Sequence, residues 1–106
     1  MMPFKSIRVG PFDLSVKLLS GEDRDKCLGM FSETQMAILM RETYATGQQE
    51  GETFLHELLH AIWCVFGCKP KDNEERIISQ MSIGLAQVMC AKENEPMLTW
   101  LREKLS

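Results

Sequence analysis

Residues 56–60 read His56-Glu57-Leu58-Leu59-His60, two imidazoles four positions apart with a carboxylate next to the first. On a helix, positions i and i+4 lie one turn apart on one face, so both rings can reach a single ion. Paired histidines of this kind suit zinc, which lowers the pKa of a bound water toward ~7 and yields a hydroxide at neutral pH. Glu57 lies beside that face, where its carboxylate can hold and deprotonate the water. The chemistry needs these residue types at this spacing.

Three fixed letters in five recur by chance in on the order of one in a few hundred chains of this length. Here the match lies in a strong helical pattern and uses both of the chain's histidines. Phe54, Leu55, Leu58, Leu59, Ile62, Val65 and Phe66 cover most of that helix, which predicts a buried element. Unpaired histidines are unusual in a core. The competing expectation is a pair of core histidines bonded to backbone or a carboxylate.

A tetrahedral catalytic site wants a third protein ligand and one open position. With no histidine left, that ligand is a carboxylate or a thiolate. Cys64 continues the stripe of 56 and 60, but residues eight apart are ~12 Å along the axis, too far to share an ion with His56. The next helix offers Glu74 and Glu75. Asp72 and Glu75 also have capping-box spacing, and acids suit a helix N-terminus in any case. Glu75 heads a row of small residues, Ser79, Ser82 and Ala86, which would permit close helix approach. It is therefore the expected ligand, with Glu74 as alternative and Ser79 as a partner for a ligating histidine.

The elements that must position these groups are readable. Phe12, Leu14, Val16 and Leu18 alternate with polar residues, predicting a strand. Ser20 to Lys26 reads as a loop. Two further short strands follow, about 27–31 and 35–40, with Ser32-Glu33-Thr34 as hairpin turn. Thr46 and Gln49 have capping-box spacing, so the histidine helix starts near 47 or near 53 and runs to about 66, where Gly67 and Pro70 stop it. A second helix spans about 73–91 and a third about 95–105, with Leu98, Leu101 and Leu105 on one side. The sum is one α+β domain over 1–106, a small antiparallel sheet of about three strands (about 7–40) packed on three helices.

The chain has 106 residues, 44% hydrophobic and 25% charged, with a net charge of −3. No basic stripe is present, which disfavours nucleic acid as a partner. No run is long enough to span a bilayer, and Met1-Met2-Pro3-Phe4-Lys5 has no signal-like apolar core, so a cytoplasmic location is expected. Cys27, Cys64, Cys68 and Cys90 are then expected to be reduced and buried.

The run Glu52-Thr53-Phe54-Leu55-His56-Glu57-Leu58-Leu59-His60-Ala61, followed by Asn73-Glu74-Glu75, resembles the gluzincin arrangement of zinc metallopeptidases, of which thermolysin is the familiar member. From Leu28 to Leu101 the order of features also resembles short metallopeptidase-like proteins of phages and prophages. The resemblance implies one zinc ion on His56, His60 and Glu75 or Glu74, with Glu57 as general base and a peptide or protein as substrate. It also implies that the 36–40 strand is the edge along which an extended peptide lies. The spacing from His60 to Glu75 is shorter than in thermolysin, and no histidine remains to hold a developing oxyanion. Tyr44, the chain's one tyrosine, is the candidate for that role, with Arg41 and Arg76 behind it. A zinc-stabilised interaction protein without catalysis is the rival expectation, since a thin core gains from a bound metal. Retention of Glu57 speaks for the enzyme, because a structural site needs no base.

Overall fold

The computed structural model describes residues 2–21 and 23–106. Four strands, β1 (Ser6–Val9), β2 (Phe12–Leu18), β3 (Gly29–Ser32) and β4 (Ala37–Met40), form one sheet in the order β1-β2-β4-β3. A one-turn helix, α1 (Asp23–Lys26), lies between β2 and β3. Three longer helices follow, α2 (Gly47–Val65), α3 (Glu74–Cys90) and α4 (Glu95–Leu105). The class is α+β. The sheet has four strands instead of three and is mixed, because β2 pairs parallel with β4 while β1–β2 and β3–β4 are antiparallel. Strand β4 therefore lies inside the sheet. The free edge beside α2 is β3, which corrects the expectation that 36–40 would be the edge.

Both faces of β4 are buried. Ile38 and Met40 point into the main core with Ile7, Val9, Leu14, Phe54, Leu58 and Ile62, while Ala37 and Leu39 join Leu19 in a smaller cluster on the other face. Phe4, Phe54 and Trp100 meet edge to face at 5.4–5.5 Å, locking the N-terminal segment, α2 and α4 together.

The other edge, β1, is sealed by one side chain. Asn94 is completely buried. Its Oδ1 accepts from Arg8 N at 2.7 Å, and its Nδ2 donates to Arg8 O at 2.8 Å and to Val88 O at 2.9 Å. Gln87 Oε1 accepts from Gly10 N just beyond the strand. Such amide caps satisfy backbone groups that an edge strand would otherwise leave open.

The helix starts follow capping chemistry. Thr46 Oγ1 accepts from Gln49 N at 3.0 Å, and Gln49 Oε1 accepts from Ala45 N at 3.0 Å, which fixes the start of α2 at Gly47. At α3 the cap is Asn73, whose Oδ1 accepts from Arg76 N, and not Asp72, which instead accepts from Lys69 N and pairs with Arg76. Cys68 is buried, Cys27 and Cys64 are half-buried and Cys90 is exposed, and no disulfide joins the four. No helix among the described residues is long and apolar enough to cross a membrane.

Candidate metal centre

Helix α2 lies with Phe54, Leu58, Ala61 and Ile62 in the core and leaves the opposite stripe open. His56 and His60 both sit on that exposed stripe, so the helix is half-buried and its histidines are not core residues. Their rings are inclined at 71° with centroids 4.8 Å apart, and the two Nε2 atoms face each other at 3.2 Å. Two nitrogens on a tetrahedral zinc at its usual bond length are ~3.3 Å apart. The pair therefore has the bite that a single zinc ion requires. Without metal, one tautomer could donate Nε2–H to the other ring.

Glu57 lies one position round the helix and is only 7% exposed. Among the described residues no hydrogen bond or ion pair holds its carboxylate. The low exposure is that of its stem, because the carboxylate oxygens open onto clefts on either side. A 650 Å³ cleft bounded by Leu28, Gly29, Thr53, His56 and Glu57 lies on one side, and a 480 Å³ cleft bounded by Gly29, Glu33, Glu57, His60, Trp63 and Cys64 on the other. A third recess of 410 Å³, largely apolar, runs from the two histidines over Leu59, Trp63 and Met81.

Gly29 brings β3 onto α2 between the first two clefts. A Cβ there would stand 2.8 Å from Thr53 Cγ2 and 3.5 Å from Glu57 Cγ. Sequence reading passed over this residue, although a lone glycine in a strand is a known sign of close approach.

The glutamates of α3 are not brought to the histidines. Helix α3 packs back on α2 through Gly84, where a Cβ would stand 2.5 Å from Ile62 Cγ2. Gln80 Nε2 donates to Phe66 O and Arg76 Nη2 to Gly67 O, so the first turn of α3 lies beside the far end of α2. Glu75 is nine residues, about 14 Å along the axis, before Gly84. Glu74 and Glu75 are exposed there, and so are Ser79, Ser82 and Ala86, the row expected to meet α2. Among the described residues no three histidine, cysteine, aspartate or glutamate side chains converge on one point.

Tyr44 is committed elsewhere. Its hydroxyl donates to Leu28 O at 2.6 Å and accepts from Arg41 N at 2.8 Å, pinning the start of β3 to the end of β4. Burial pushes its pKa above the ordinary value near 10, against smaller lowering by the Arg41 backbone. Arg41 Nε donates to Cys27 O, and Arg76 bonds Asp72 and Gly67. Compared with protein-family models, curated proteins and solved structures, the chain matches none.

Proposed function

We propose that this chain is a zinc-dependent peptide hydrolase, with the metal on His56 and His60 and Glu57 as general base. The observation that carries the reading is the 3.2 Å approach of the two Nε2 atoms, next to a carboxylate that has no structural partner and opens onto both clefts. A zinc ion bound there would supply Lewis acidity and lower the pKa of a water toward ~7.

The chain's own residues do the rest. Glu57 Oε takes a proton from the attacking water and returns it to the amine nitrogen as the C–N bond breaks. The exposed edge of β3 offers backbone donors and acceptors to an extended peptide alongside the cleft. Leu59, Trp63 and Met81 give the recess beside the histidines an apolar wall, which favours a large apolar side chain next to the cleaved bond.

The test is metal content and proteolysis of Glu57→Gln against the wild type. Zinc retained with cleavage of a peptide library lost supports the reading. Zinc bound by the wild type without any cleavage favours the rival, a metal-stabilised interaction module. A wild type that takes up no zinc defeats both. His56→Ala and His60→Ala should each abolish uptake while shifting the metal-free chain's stability by less than about 0.5 kcal/mol, as both rings are exposed.

A further inference from the structure

We propose that the metal on His56 and His60 takes its third protein ligand from Glu33, in the turn between β3 and β4. The proposal rests on the metal-binding reading above. One helix gives a single ion only its i and i+4 side chains. The stripe continues at Glu52 and Cys64, but each stands eight residues, ~12 Å, from the far histidine. The third donor must come from another element, and the acids of α3 lie at the wrong end of α2.

Glu33 comes from the opposite side. It borders the same cleft as Glu57, His60, Trp63 and Cys64. Its carboxylate stands near enough to the Cys64 thiol, one helical turn beyond His60, to add to the burial that raises that thiol's pKa. The turn that carries it is ordered. Ser32 Oγ accepts from Gln35 N at 3.2 Å, Glu33 O accepts from Met36 N at 3.3 Å, and Met36 takes the left-handed conformation at φ 49°. The backbone of Glu33 is thus held at the rim of the cleft while its exposed side chain can change rotamer. Ligation requires the carboxylate to swing from beside Cys64 toward the histidines by side-chain rotation. Carboxylate oxygen beside two imidazoles is an ordinary zinc donor set. Glu57, in the same cleft, then remains unligated as the base.

The experiment is calorimetric titration of zinc, and absorption titration with cobalt(II), into the full chain and its variants. One ion per wild-type chain is expected. Glu33→Gln should weaken binding by at least about tenfold and alter the cobalt d–d bands, while a Glu74→Gln, Glu75→Gln double variant binds like wild type. Thermal unfolding of the metal-free variants checks that the exposed substitutions leave the fold intact. A Glu33→Gln chain that titrates like wild type overturns the proposal, and so does a loss confined to the α3 double variant. A thiolate-to-cobalt band that disappears in Cys64→Ser would give the ligand to Cys64 and overturn it as well. If the wild type binds neither metal, the underlying reading falls with it, a result distinct from failure at Glu33.

Discussion

Gly29 and Thr53 stand so close that a methyl group on the glycine would lie 2.8 Å from Thr53 Cγ2. The free edge of the sheet is therefore seated on the histidine helix with only the Thr53 side chain between them at this point. Gly29→Ala must push β3 outward or tilt α2, and β-branched Thr53 has little freedom to yield. The expected cost is about 1–3 kcal/mol in urea unfolding. Cleavage should fall further than stability explains, because Glu57 Cγ lies 3.5 Å from the added carbon and borders both clefts.

Gly84 sets the second close approach. Its added Cβ would meet Ile62 Cγ2 at 2.5 Å and Phe66 Cδ2 at 2.8 Å. Alanine is the better helix former by about 1 kcal/mol, but Ile62 is completely buried and cannot step aside cheaply. Gly84→Ala should be net destabilising by about 1–2 kcal/mol. Urea titration should show a lower midpoint at unchanged slope, and an unchanged midpoint would mean that α3 slides to accommodate the methyl.

Tyr44 predicts an alkaline limit. Its neutral hydroxyl bonds Leu28 O and Arg41 N, and burial raises its folded-state pKa above the unfolded value near 10. A group raised in this sense contributes its stability fully below pH 10 and loses it as pH climbs through the folded value. Tyr44→Phe should be less stable than wild type at neutral pH, since it leaves the Arg41 amide without its acceptor. The gap between the two should narrow above pH 10, as chemical unfolding across the alkaline range would show.

Much of this was legible in the residues. Thr46 and Gln49 marked the start of α2, and the histidine pair declared its shared face through spacing alone. These signals are local, written within one or two helical turns. Strand β1 was passed over, because the alternation of Ser6-Ile7-Arg8-Val9 spans only four residues and is a weak signal alone. The parallel pairing of β2 with β4, and hence the identity of the free edge, depends on contacts between distant segments. The row from Glu75 through Ser79 and Ser82 misled for a related reason. Small residues mark close approach only when their face is the buried one, and here Gly84 carries that approach while the serines face solvent. Glu33 gave no signal, since a turn glutamate gains meaning only from what the fold sets opposite it.

The amide of Asn94 also has a temporal consequence. It completes the backbone of Arg8 across 86 residues of chain, so strand β1 is finished by a turn made long after it. Loop closure of that length must precede the reward. A growing chain therefore displays an unsatisfied β1 until residue 94 has emerged, and the closing of that edge waits on one distant side chain.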